Sequence, residues 1–193
     1  MATPRRKIIV HIATSADGYI ARADGSLEWL TSRPKPKGFY GIAAFMKSVD
    51  TMILGRKTYE AGLRLGGKFD SGGRTIVFSR QAPPANIPAS VEFVDHPIAP
   101  FVRRLREQPG KDIWLMGGGD LIASFLDQRA IDEFVLTMTP VFIGDGIPLI
   151  ARRHRQLPLD LLSTQSFEDG VVQLHYRVPA VERGSRAQKG GEH

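Results

Sequence analysis

At 193 residues, 42% of them hydrophobic and 24% charged, the chain is long enough for one domain with a real core. Its lack of cysteine excludes disulfides, thiolate metal sites and cysteine nucleophiles, and it shows neither a run of about 18 apolar residues nor a signal-peptide start, which points to a cytoplasmic protein with no membrane partner. Of the net charge of +6, Arg5, Arg6 and Lys7 carry three and the tail from Ala180 one more (Arg183, Arg186 and Lys189 against Glu182 and Glu192), so the body keeps only +2, too little for a nucleic-acid surface.

Residues 1–6 read as a flexible start. Lys7 to Ala13 (Lys-Ile-Ile-Val-His-Ile-Ala) is almost continuously apolar and β-branched, which predicts a central strand. Thr14 to Gly38 is a long polar loop punctuated by Asp17-Gly18, Asp24-Gly25, Pro34 and Pro36, and a loop of this length is either functional or disordered. Ile20, Leu27, Trp29 and Leu30 argue against disorder. Within Gly38 to Val49, Ile42, Phe45, Met46 and Val49 recur at helical spacing and predict one buried face. Thr51 to Leu54 is a short strand ending at Gly55, followed by a helix over Arg56 to Leu63 and a glycine-rich loop over Gly62 to Gly73.

Arg74 to Ser79 and Val91 to Val94 are strands separated by a proline-rich connector over Gln81 to Pro88. Pro97 to Glu107 is a helix with Phe101, Val102 and Leu105 inward. Ile113 to Met116 is an apolar run that enters Gly117-Gly118-Gly119, and a helix follows from Asp120 with Leu121, Ile122, Phe125 and Leu126 buried. Glu133 to Pro140 is a strand and Gly144-Asp145-Gly146 a turn. Leu161 to Phe167 and Val171 to Val178 form a hairpin joined at Glu168-Asp169-Gly170. Residues 180–193 read as a polar, disordered tail. Residues 7–179 are therefore expected to form a single α/β domain, its sheet mostly parallel with antiparallel C-terminal strands.

Common catalytic signatures are missing. Gly62 to Lys68 has P-loop spacing, but Phe69 stands where a magnesium-binding hydroxyl belongs. The five histidines show no metal-ligand spacing, so no metal is expected. G-x-S-x-G and G-x-G-x-x-G are absent. What recurs is a strand ending in a small or cationic junction: Gly55-Arg56-Lys57-Thr58, Ser79-Arg80 and Gly117-Gly118-Gly119-Asp120. Parallel strands share one C-terminal edge, where ligands bind. Glycines admit close backbone approach, helix N-termini favour anions, and Arg56, Lys57 and Arg80 add charge; together these predict a polyphosphate site. Taken singly, the glycine turn is equally a tight turn packed on its own sheet.

The motifs Ala13 to Ala21, Leu54 to Tyr59, Thr75 to Arg80, Met116 to Ile122 and Asp132 to Pro148, in this order, resemble the dihydrofolate reductase superfamily. The branch they resemble is the riboflavin-pathway pyrimidine reductase domain, the C-terminal part of the bifunctional deaminase-reductase. The resemblance covers roughly residues 7–178 and implies a central sheet flanked by helices with NADPH across the strand ends. It implies that Gly55, Arg56, Lys57 and Thr58 grip the phosphates and that Ser79 and Arg80 lie on the adenosine side. Met116, Gly117, Gly118, Gly119, Asp120, Leu121 and Ile122 would form the turn that receives the pyrophosphate, with Ala13 and Ile20 on the nicotinamide side. A 2′-phosphate, with about two negative charges, suits guanidinium, which favours NADPH over NADH. Folate-reducing members carry a carboxylate on the first helix; Phe39-Tyr40-Gly41-Ile42 has none, which argues against dihydrofolate. The zinc deaminase motif is also absent.

Reduction of C=N or C=O needs a proton as well as a hydride. Asp17, just after the first strand, is the candidate general acid, which requires a raised pKa. It is also a candidate substrate contact, or a turn residue that bonds its own backbone. Asp24 and Glu28 are weaker candidates. Trp29, Tyr40 and Phe45 are candidate walls for an aromatic substrate, although Phe45 also reads as core. The function expected is NADPH-dependent reduction of a small heteroaromatic, pyrimidine- or pterin-like substrate by a homodimer. The alternative is a non-catalytic nucleotide-binding or sensing module on the same fold.

Overall fold

A computed structural model of the chain describes residues 5–34, 36, 38–69, 73–153 and 156–180. The chain order is β1 (Ile8–Ser15), β2 (Tyr19–Ala21), α1 (Glu28–Thr31), a 3₁₀ turn (Phe39–Gly41), α2 (Ile42–Ser48), β3 (Val49–Gly55) and α3 (Arg56–Arg64). There follow β4 (Arg74–Phe78), β5 (Val91–Val94), α4 (Ile98–Glu107), β6 (Asp112–Gly117), α5 (Gly119–Asp127), β7 (Glu133–Thr139), β8 (Ile147–Pro148), β9 (Asp160–Ser166) and β10 (Val172–Arg177).

The main sheet runs β5-β4-β3-β6-β1-β7-β10-β9. The six strands from β5 to β7 are parallel, and β10 and β9 add on antiparallel. This is the expected α/β sheet. Its parallel strands are apolar on both faces because helices cover both. On one face Ile8, Val10, Ile53, Ile76, Ile113 and Leu115 pack under α4 and α5, against Phe101, Val102, Leu105, Ile122 and Phe125. On the other, Tyr59 of α3 packs with Leu54, Val77 and Val91, and Phe45 of α2 lies edge-on to His11 and Trp114.

Three local expectations change. Arg6 is 5% exposed rather than part of a flexible start. Its guanidinium bonds the Asp50 carboxylate, Thr51 Oγ1 (2.8 Å) and the Lys111 carbonyl (2.5 Å), which ties it to β3 and the start of β6. Residues 1–4 and 181–193 lie outside the described residues. The stretch after β1 is not all loop, because β2 pairs with β8, with Tyr19 opposite Pro148 and Ala21 opposite Ile147. The helix expected over 38–49 is only Ile42–Ser48, and Met46 is 43% exposed. Gly38 and Gly41 take left-handed backbone, and so do Phe39 and Tyr40, so the chain turns sharply before α2 can begin.

Candidate functional site

Because the strands are parallel, β1, β3, β4 and β6 end on one edge, at Ser15, Gly55, Phe78 and Gly117. β3 and β6 are neighbours there. A Cβ on Gly55 would lie 3.9 Å from the Gly117 carbonyl oxygen and 4.0 Å from the Gly118 nitrogen. A Cβ on Gly118 would lie 3.3 Å from Thr58 Oγ1 and 3.8 Å from Ile20 Cδ1. Gly55, Thr58, Ile20 and Gly118, from three separate parts of the chain, thus converge at mid-sheet. The Gly117–Gly118 peptide is cis, and Gly117 has a φ of 121°. Gly119 serves a different end: a Cβ there would collide with the Pro148 carbonyl, and its own carbonyl accepts the Ala151 N–H at 3.1 Å. The last glycine of the turn is therefore a packing glycine.

Two helix N-termini flank this point. α3 begins after Gly55 with no side-chain cap and no acid in its first turn. α5 carries Asp120 in its first turn, so its dipole already faces a carboxylate, and α3 offers an anion the better end. The Leu121 and Ile122 N–H groups both donate to the Gly118 carbonyl at 3.0 Å. Ile122 is fully buried in the main core, Leu121 packs against that core and Met116 packs against the smaller one. The helix thus uses the amides of Leu121 and Ile122, and their side chains pack on the core.

Arg56 and Ser79 come together, but chiefly to brace the chain. The Arg56 guanidinium donates to Glu60 Oε1 (2.7 Å), the Ala82 carbonyl (2.7 Å) and Ser79 Oγ (3.5 Å). Ser79 Oγ in turn donates to the Gln81 carbonyl and accepts from the Gln81 N–H. Lys57 and Arg80 are exposed, and neither makes a side-chain hydrogen bond or ion pair with another described residue.

Asp17 departs most from expectation. Its carboxylate accepts from Ser15 Oγ (2.5 Å) and from the backbone N–H groups of Ile143 (3.1 Å) and Gly144 (2.7 Å). The Ser15 hydroxyl, followed by those amides, holds its pKa below the ordinary carboxylate range. A general acid needs the opposite shift, so the raised-pKa expectation is corrected: Asp17 clasps the loop after β1 to the loop after β7. Glu28 is likewise lowered, by Ser26 and Arg22, and does not replace it.

The aromatic candidates separate. Trp29 is 6% exposed and offers no free wall. Tyr40 lies edge-on to Phe167 (4.9 Å) and donates its hydroxyl to Asp169, at the tip of the β9–β10 hairpin. Phe45 is half-buried, edge-on to His11 (4.5 Å) and Trp114 (5.6 Å), and belongs to neither core cluster.

A polar row absent from the sequence reading appears on the same sheet face. Register places Ala13, Thr137 and Gln173 side by side, with His11, Val135 and His175 in the next row. Gln173 Nε2 donates to Thr137 Oγ1 (3.0 Å) and to the Tyr40 carbonyl (3.1 Å). His175 pairs with Glu133 at 2.9 Å, and Lys7 reaches the same carboxylate at 2.7 Å. Burial alone would raise Glu133, but these two partners outweigh it and hold it low. His11 Nδ1 is buried with no partner; burial, then nearby His175, lower its pKa to about 4. Polar residues at alternate positions of β7 and β10 were the sequence signal for this row.

Among the described residues no helix is long and apolar enough to cross a membrane. Comparison with known proteins gives consistent results. Residues 6–173 match the RibD C-terminal domain. The uncharacterized protein YwjB of Bacillus subtilis (strain 168) is 38% identical, over 89% of this chain and 97% of its own. The structure of a putative riboflavin biosynthesis protein from Shewanella sp. PV-4 superposes with a TM-score of 0.81 at 29% identity, covering 90% of this chain and 99% of that one. Dihydrofolate reductase from Enterococcus faecalis, in complex with NADP(H), shares the fold at a TM-score of 0.64 and 16% identity, covering 90% and 97%. The chain, with its glycine-lined sheet edge and reductase-like fold, belongs to the RibD C-terminal domain family.

Proposed function

We propose that the protein is an NADPH-dependent reductase that delivers a hydride to a small heteroaromatic, pyrimidine-like substrate, as in reduction of 5-amino-6-(5-phosphoribosylamino)uracil in riboflavin biosynthesis. The observation that carries this reading is the convergence of Gly55, Thr58, Ile20 and Gly118 at the middle of the parallel edge. This cradle fits an extended dinucleotide: backbone is bare at its centre, an uncapped helix N-terminus faces it, and Lys57 and Arg80 supply unused positive charge on the adenosine side. The Enterococcus enzyme of like fold binds NADP(H), which supports the choice.

When bound, the nicotinamide supplies the hydride; the protein orients the two rings and excludes water. Gly118 and Thr58 would bind the pyrophosphate, and Ile20 and Ala13 would border the nicotinamide. Half-buried Gln173, with buried Thr137 and neutral His11 behind it, keeps the neighbouring face uncharged, which suits the amide edge of a pyrimidine better than a carboxylate would. Asp17, ionised at neutral pH, holds the loop rather than donating the proton.

The assay is substrate-dependent loss of NADPH absorbance across pyrimidines, pterins and flavin precursors. NADPH binding without any turnover favours the nucleotide-sensing alternative. A homodimer is part of the same proposal, since edge strand β9 is exposed along its whole length and presents Leu161 and Leu162. Light scattering of the purified chain tests it.

A further inference from the structure

At the opposite end of the sheet, where the parallel strands begin, a cavity of about 640 Å³ opens between the C-terminal ends of α4 and α5. Its wall includes Arg5, Arg103, Arg106 and Arg129, with Glu107 as the lining carboxylate. Arg5 (3.0 Å) and Arg106 share a single acid, Asp132. Arg106 Nε is buried with no hydrogen-bond partner. Arg103 and Arg129 make no side-chain hydrogen bond or ion pair with the described residues. The wall thus carries more guanidinium than carboxylate.

Helix C-termini attract cations, which accounts for Arg106 in the last turn of α4. The C-terminus of α5 attracts Arg129 in the same way, but the backbone at that position does not favour a side chain. The end of α5 is a Schellman motif: the Ala130 N–H donates to the Phe125 carbonyl and the Arg129 N–H to the Leu126 carbonyl, each at 2.9 Å. Arg129 occupies its left-handed position, with φ 51°, where glycine is the favoured residue. The backbone therefore bears an arginine at a site that disfavours a side chain, and no acid among the described residues pairs with it.

We infer that this cavity is a second anion site, for a phosphorylated small molecule, remote from the cofactor edge. The anion would be gripped by Arg103 and Arg129, with Arg5 and Arg106 lining the same wall. The ligand chemistry is one or two phosphoryl groups, and the volume leaves room for an attached nucleoside-sized body.

The test is calorimetric titration of inorganic pyrophosphate, then ADP, into the full chain at low ionic strength. Arg129→Gly suits the left-handed backbone, so this variant folds and its Tm rises, while pyrophosphate binding weakens by about tenfold or more. Arg103→Ala weakens binding similarly, and Arg22→Ala, outside both the cavity and the cofactor edge, leaves it unchanged. ADP binding tighter than pyrophosphate assigns a nucleotide; equal or weaker ADP binding assigns a simple phosphate. Either order supports the site. Affinity kept in Arg129→Gly and Arg103→Ala overturns it, and so does an absence of binding to the unmodified chain.

Discussion

Gly118 and Thr58 meet across the β3–β6 boundary, where a Cβ on Gly118 would approach the Thr58 hydroxyl to 3.3 Å. Gly118 itself has φ −79°, a backbone that alanine adopts freely. Gly118→Ala is therefore expected to keep the fold while filling the place proposed for pyrophosphate. NADPH affinity should fall by about tenfold, or about 1.4 kcal/mol, in a fluorescence titration with little change in Tm. Gly119→Ala should do the reverse, costing about 1–3 kcal/mol of stability because its Cβ meets the Pro148 carbonyl. NADPH affinity unchanged in Gly118→Ala would show that bare backbone is not what binds the cofactor.

Asp17→Asn separates a clasp from a proton donor. Because the folded pKa is depressed, the contribution of Asp17 is complete above its unfolded value of about 3.9 and is lost only as pH falls through the lower folded value. The unmodified protein should show no ionisation of Asp17 in its rate between about pH 5 and pH 7. In the variant, the Ile143 and Gly144 amides should exchange with deuterium faster, since they lose a charged acceptor. An acid-side rise in turnover that disappears in Asp17→Asn, with amide exchange unaltered, restores the donor role.

The cations at the edge should also part company. Arg80 is exposed and unpaired among the described residues, so Arg80→Ala is expected to weaken NADPH by about tenfold and leave NADH nearly unchanged. Arg56 holds the Ala82 carbonyl and Ser79 in place, so Arg56→Ala should weaken both cofactors and lower Tm. Binding constants for the two dinucleotides, with a melt of each variant, decide between them. Equal loss of NADPH and NADH in Arg80→Ala would take Arg80 out of the 2′-phosphate site.

Local signals in the chain carried the edge but not what faces it. An apolar run into glycine can be read directly, so the ends of β3 and β6 and the start of α5 stand within a residue of where the sequence places them. Asp17 could not be read that way, since its amide partners lie 126 and 127 residues further on. Tyr40 looked like a pocket aromatic until the fold brought Asp169 and Phe167 to it from the far hairpin. Met46 keeps helical spacing, yet α2 has only two turns, and nothing in the spacing says how much sheet they will cover. His11 vanished inside an apolar strand because one polar residue does not break a strand pattern, although its unpartnered nitrogen marks it in the structure.

That histidine gives the last prediction a sign. Its pKa is about 4 in the folded protein against an ordinary 6.5, so the unfolded chain binds the extra proton first as pH falls. Stability linked to His11 is therefore full above the unfolded pKa and is lost as pH drops from there toward 4. Linkage over that window gives a loss of about 2 kcal/mol between pH 7 and pH 5. His11→Leu, which keeps an apolar contact for Phe45 and removes the orphaned Nδ1, should unfold in urea with that part of the pH dependence gone. The same variant removes a polar group from the proposed substrate face, so its KM for a pyrimidine substrate should rise while NADPH affinity holds. Parallel stability curves for the two proteins from pH 7 to pH 5 would mean that His11 is charged or solvated in the fold, and would remove it from that face.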